Sequence, residues 1–293
     1  MKAAGFIDFL TYAEPVACLI ALIVMRTRRQ LGIYRFLSGF LFIRMFSTAA
    51  EITLLRFGFR HHEHAHLVYG LYFYLYWISY TIEAFLGLGI IYSIYRLAMA
   101  PLKGLQTLGM LMFRWAAAIS VAVALGMALG PRMTTLQFLV AAASQLQQTQ
   151  SILTLCMLLF VTFAIRPMGL SYQSKIFGVS LGLGIYAAMG LVSSGWFIHF
   201  SKMNSSVNLL NGISILVAVS TWIVYFALPE PKRRIIVLPT TSPFLRWNQI
   251  SVALGDNPGF VAVGGVPPEV FAPSELEIMR RASLKMVAGH AQR

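Results

Sequence analysis

Residues 68–96 read VYGLYFYLYWISYTIEAFLGLGIIYSIYR. Between Val68 and Tyr95 the only charged side chain is Glu83. A helix needs about 20 apolar residues to cross a hydrocarbon core of roughly 30 Å, whereas a barrel strand needs only about 9–11. The run therefore reads as a membrane-spanning helix and is too long for a strand of an outer-membrane barrel. Six more runs of this kind flank it, at residues 6–25, 36–57, 109–130, 136–165, 175–200 and 207–228. Short loops join them, so consecutive helices should pack as antiparallel neighbours.

The composition agrees. Of 293 residues, 58% are hydrophobic and 11% charged, with a mean hydropathy of +0.71. A soluble domain carries about 45–50% apolar and about 25% charged residues, so soluble Rossmann, TIM-barrel and sandwich folds are excluded. The expected architecture is all-α: a polytopic seven-transmembrane-helix bundle over residues 1–228. The first run is interrupted by Asp8 and Glu14, preceded only by Lys2, and lacks a small-residue cleavage site. It is expected to remain as the first span and not to be removed as a signal peptide. Cys18 and Cys156 both lie inside apolar runs, so the chain is not a disulfide-framed secreted domain.

Orientation follows from the distribution of Lys and Arg, because cationic loops stay on the cytoplasmic side. Twelve flank one set of helix ends, from Arg26 through Arg96 and Lys175 to Arg234. Five flank the other: Lys2, Arg56, Arg60, Arg132 and Lys202. The N-terminus is therefore expected outside and the C-terminus in the cytoplasm. The net charge of +13 then has a topological cause, and no nucleic-acid partner is implied. The expected partners are the lipid bilayer and a cytoplasmic or membrane protein. Trp77, Trp115, Trp196 and Trp222 lie within or near span ends, where aromatic belts form.

After Leu228 the chain changes character. Eight of the twelve prolines fall in residues 229–293, so this cytoplasmic tail cannot be one continuous helix. One short helix is expected near 274–287, where Ser274 and Glu277 have capping-box spacing.

Ionised groups inside a span cost roughly 2.5–3.5 kcal/mol each on insertion scales, and are candidates for function by default. Four stand out: Glu14, Arg44, Glu51 and Glu83. Arg44 and Glu51 are seven residues apart and share a helix face. Arg44 is expected to pair with Glu83 or Glu51, while Glu14 has no obvious cation. Tyr69, Tyr72, Tyr76 and Tyr80 fall with Glu83 within about 60° on the third helix, and Gly87 continues the line. Phenols pair an apolar ring with a hydrogen-bonding tip, and this stripe suits a pocket lining. The plainer account is that they bond across helices and hold the bundle together. The fifth helix adds Ser144, Gln145, Gln147, Gln148, Gln150 and Ser151 near mid-span. Amides in hydrocarbon require partners, and a polar network of Arg44, Glu51, Glu83 and Gln148 across helices two, three and five is expected.

His61, His62, His64 and His66 lie within six residues, enough imidazole for zinc, copper or nickel, although histidine is also tolerated at a helix end. A retinal Schiff base needs a lysine amine within a span, and Lys2, Lys103, Lys175, Lys202, Lys232 and Lys285 all lie outside the seventh helix. No retinal linkage is expected. A transmembrane di-haem arrangement is not expected either, because the inner halves of the spans hold no histidine ligands. Phosphate-binding, zinc-protease and lipase motifs are absent, and no catalytic constellation is evident. Gly178, Gly182, Gly184 and Gly190 on the sixth helix signal close packing through small residues.

The stretch Tyr76-Trp77-Ile78-Ser79, with Ile91-Tyr92-Ser93-Ile94-Tyr95-Arg96, Pro101-Leu102 and Phe113-Arg114-Trp115, resembles a set of uncharacterised bacterial seven-span membrane proteins. The resemblance covers about residues 1–230. It implies the seven-helix fold and a bacterial inner membrane, and supplies no activity and no site residue. Three roles stay open at this level: a receptor-like sensor with an outward tyrosine-lined pocket, a proton-coupled transporter, and a structural or assembly subunit of a membrane complex.

Overall fold

In hydrocarbon each backbone N–H and C=O must be satisfied within its own segment, so long apolar runs become helices. The computed structural model describes residues 2–60, 65–100, 103–128, 135–164, 170–199, 205–229, 236–238, 246, 249–250, 253 and 261–263. Among the described residues there are seven α-helices: α1 (Lys2–Thr27), α2 (Arg35–Arg60), α3 (Ala65–Ala98), α4 (Lys103–Ala128), α5 (Thr135–Ala164), α6 (Lys175–His199) and α7 (Ser205–Ala227). Six of them are long and apolar enough to cross a membrane; α4 carries a shorter apolar stretch, Gly109–Val123. The chain is thus a helical, multi-pass membrane protein by length and composition.

The helices extend beyond the apolar runs because their caps are polar. Arg29 adopts φ 54°, the left-handed conformation that closes a helix, with Gln30 N donating to Met25 O and Arg29 N to Arg26 O. Ser174 caps α6 by accepting a hydrogen bond from Phe177 N at 3.3 Å. Arg28 donates to the last carbonyl of α7, Ala227 O, at 2.7 Å, and ties the first helix to the seventh.

Six helices form a closed ring in which α1 packs on α2 and α7, α2 on α3, α3 on α5, α5 on α6, and α6 on α7. The fourth does not take its place in sequence order. It lies outside the ring against α5 and α3. Close approach of α3 to α5 at Gly87 explains this: a Cβ there would stand 2.7 Å from Gln150 Nε2, so only glycine admits the amide. Leu111, Trp115, Ile119 and Val123 form the outward stripe of α4, and Phe9, Val16, Ile20, Phe85, Leu159 and Phe163 are among the apolar side chains exposed elsewhere. Such a surface belongs in lipid.

The interior has two unlike halves. Around the C-terminal ends of α1, α3, α5 and α7 and the N-terminal ends of α2 and α6, Met25, Leu37, Leu41, Ile94, Val161 and Phe226 form a dry core. There Trp222 is fully buried beneath Phe40, with Nε1 donating to Val179 O at 3.3 Å, so this tryptophan belongs to the core and not to an interfacial belt. Gly178 and Gly182 admit Tyr225 and Trp222 of α7, and Gly184 admits Leu158 of α5. The other half, which holds the N-terminal end of the chain, contains the cavity described below.

In the tail, β1 (Ile236–Leu238) pairs in parallel with β2 (Val261–Val263), in the register Ile236 to Val261. Both segments are rich in β-branched residues, which favour strands. The helix expected near 274–287 lies outside the described residues.

Candidate functional site

Arg44 is the hub of the polar interior. It stands midway along α2, and its neighbours come from three other helices. Nε donates to Glu14 Oε1 of α1 at 2.6 Å, and Nη1 donates to Glu83 Oε2 of α3 at 2.6 Å. Nη1 also donates to Tyr186 Oη of α6 at 3.2 Å, and the guanidinium carbon lies 5.3 Å from the centre of the Tyr186 ring. Gln147 Nε2 of α5 reaches the same phenol at 3.4 Å. Four helices therefore meet at one cation, with α5 joining through Tyr186, and its charge-assisted bonds to two carboxylates offset its withdrawal from water.

Beside this hub lies a cavity of about 760 Å³. Its walls come from α2 (Arg44, Ser47, Thr48, Glu51), α3 (Tyr76, Trp77, Ser79, Tyr80, Glu83), α5 (Val140, Ser144, Gln145, Gln147, Gln148), α6 (Tyr186, Gly190, Ser193) and α7 (Asn211). Several hydroxyls are already satisfied by their own helix: Ser47 donates to Arg44 O, Ser79 to Leu75 O and Ser144 to Ala141 O. Others are not. Gln147 Oε1 and Ser193 Oγ are buried with no hydrogen-bond partner among the described residues, as are Gln150 Oε1 and Ser151 Oγ nearby on α5. A buried acceptor without a donor is costly, and a cavity edge is where a ligand or water supplies one.

The sequence-level candidates are placed as follows. Arg44, Glu51, Glu83 and Gln148 all line the cavity. Arg44 pairs with Glu83, while Glu51 lines the wall with no ion pair among the described residues. Glu14, which had no obvious cation in the sequence, is Arg44's second carboxylate. Gln148 lines the wall without joining the Arg44 network; the amide that reaches it is Gln147, through Tyr186. The tyrosine ladder is continuous from Tyr72 to Tyr80: Tyr72 stacks on Tyr76 at 6.4 Å and Tyr76 on Tyr80 at 5.9 Å, the latter rings 10° from parallel. Tyr76 and Tyr80 line the cavity, Tyr72 extends the stack beyond it, and Tyr69 is exposed. His61, His62 and His64 lie outside the described residues, and His66 is exposed. Among the described residues no group of three or more histidine, cysteine or acidic side chains is placed to hold a metal.

Sequence reading missed Glu14 as a partner and Tyr186 altogether. A signal for the first existed, since the spans hold three carboxylates to one deeply placed cation. Tyr186 is a lone phenol among the small residues of α6 and gives no periodic signal. No family model, curated protein or solved structure matches the chain.

Proposed function

We propose that the chain is a receptor-like sensor of a bacterial inner membrane, crossing it seven times with the N-terminus outside and the tail in the cytoplasm. The loop charges support that orientation, and α4 supplies the remaining span. In this frame the cavity faces outward, since it lies in the half of the bundle that holds the N-terminal end, and the dry core faces the cytoplasm. The observation that carries the reading is one guanidinium shared between carboxylates of two other helices beside a sizeable polar cavity. In this reading the hub switches between Arg44 held by Glu14 and Glu83, the arrangement seen, and Arg44 drawn toward Glu51, and a ligand shifts between them only by its differential affinity for the two. Basic inner loops and the tail would pass the change to a cytoplasmic partner.

A second reading, a proton-coupled carrier, has one observation in its favour: Glu51 lines the cavity with no ion pair among the described residues, where a carboxylate could load and release a proton. Glu83→Gln separates the two, because it keeps shape and removes charge. In proteoliposomes, spin labels at Phe163 of α5 and Arg96 of α3, both exposed, report the inner ends of the ring. The sensor reading expects the substitution to redistribute two populations of label distance with no change in proton flux. A single unaltered population removes it, and collapse of a proton flux present in the parent chain establishes the carrier instead.

A further inference from the structure

We infer that the ligand of the cavity is a small organic cation, an amine or quaternary ammonium, held by Glu51 against the aromatic surfaces of Tyr76, Trp77 and Tyr80. The inference rests on the ligand-binding reading of the cavity and names its chemistry.

Charge balance comes first. Among the described residues, the charged groups around the cavity are Arg44 and Glu51 of α2, Glu83 of α3 and, behind Arg44, Glu14 of α1. Three carboxylates thus face one guanidinium, whose Nε and Nη1 are already committed to Glu14, Glu83 and Tyr186. An anionic ligand would meet the carboxylates of Glu51 and Glu83 and a cation already engaged. A cationic ligand meets Glu51, the carboxylate without an ion pair among the described residues. In a low-dielectric interior that imbalance is expensive to leave uncompensated.

The rest of the wall identifies the kind of cation. Tyr76, Trp77 and Tyr80 sit consecutively around one side, with Trp77 packed edge to face on both tyrosines. Aromatic faces attract alkylammonium groups and are of little use to a hard metal ion, which requires about six oxygen ligands. Gln147, only 5% exposed, contributes a carbonyl oxygen with no partner among the described residues, an acceptor suited to an N–H or hydroxyl group of the ligand. Glu51 lies seven residues along α2 from Arg44, about 10 Å at the rise of a helix. The charged head is therefore expected at one end of the cavity and the ligand's polar tail toward Gln147 and Tyr186. The volume, about 760 Å³, falls within the range of about 300–1,000 Å³ usual for small-molecule pockets.

The test uses three probes of nearly one shape: choline, its neutral carbon isostere 3,3-dimethylbutan-1-ol, and the anion 3,3-dimethylbutanoate. Each is titrated into the full chain in lipid nanodiscs, with calorimetry and thermal melting as readouts. Choline is expected to bind and to raise the melting midpoint, while its neutral and anionic counterparts bind far more weakly. Glu51→Gln should weaken choline by about thirtyfold or more, as expected for loss of a desolvated charge partner, and Glu51→Asp should recover most of it. Trp77→Leu should weaken it several-fold. The melting midpoint without probe checks that each variant folds. Equal binding of the neutral isostere, or choline binding indifferent to Glu51→Gln, overturns the cationic ligand and leaves the cavity as a pocket of other chemistry. Failure of all three probes to bind overturns both.

Discussion

Arg44 is largely withdrawn from bulk water and paired with two carboxylates, and the energetics of such a group are asymmetric. Removing one partner from a buried ion pair leaves an uncompensated charge and costs about 3–5 kcal/mol, whereas replacing all the members with apolar groups of similar volume is close to neutral. Glu83→Leu should therefore lower the melting midpoint strongly. Glu14→Leu, Arg44→Leu and Glu83→Leu combined should melt close to the parent chain while abolishing any ligand response. Melting of the three forms in nanodiscs decides it: a triple variant no more stable than Glu83→Leu would show that the cluster does not act as one ionic unit. At this scale the sequence was informative where polarity is scarce. A charge in a span is conspicuous, so Arg44, Glu51 and Glu83 could be picked out directly. The amides of α5 were harder to rank, because seven polar residues from Ser144 to Ser151 surround the helix and periodicity does not say which one meets Tyr186.

Helix pairing in this bundle is set by where side chains are missing. Without a solvent-driven force between helices in lipid, small residues let backbones approach and gain dispersion contacts. Gly182 is occupied in that sense, since a Cβ would collide with the Trp222 indole, which the Val179 carbonyl holds in place. Gly126 on α4 is the contrast, with nothing among the described residues within 4 Å of an added Cβ. Gly182→Ala should destabilise by about 1–3 kcal/mol through overpacking. Gly126→Ala should be neutral or gain up to about 1 kcal/mol from helix propensity. Equal melting shifts for the two would contradict the close α6–α7 contact. The existence of each helix was legible from apolar runs alone. Their ends were not, because caps such as Arg29 and Ser174 are polar and fall beyond the hydrophobic pattern. Neither was the displacement of α4 from the ring, which depends on Gly87 receiving Gln150, a contact between residues far apart in the chain.

The whole molecule divides across its thickness. Because successive helices run antiparallel, polar residues late in α2 and α6 share a level with those early in α3, α5 and α7, so separate stretches of sequence build one cavity. Apolar residues at the opposite ends build one dry core by the same rule. That partition was not apparent in any single segment, since it exists only once seven directions are assigned. It also makes the proposed orientation testable without knowledge of the ligand. Cys18 is fully buried and Cys156 exposed, so a Cys156→Ser background leaves no accessible thiol among the described residues. In that background Gln148→Cys on the cavity wall should react with a membrane-impermeant methanethiosulfonate applied outside intact cells. Ile215→Cys, within the dry core, should stay unreacted from either side. Labelling of Gln148→Cys only in inverted vesicles would reverse the orientation. Labelling of Ile215→Cys, about one helical turn below the cavity-lining Asn211, would mean that water enters the core beneath the cavity, which would point toward a conduit and away from a closed sensor.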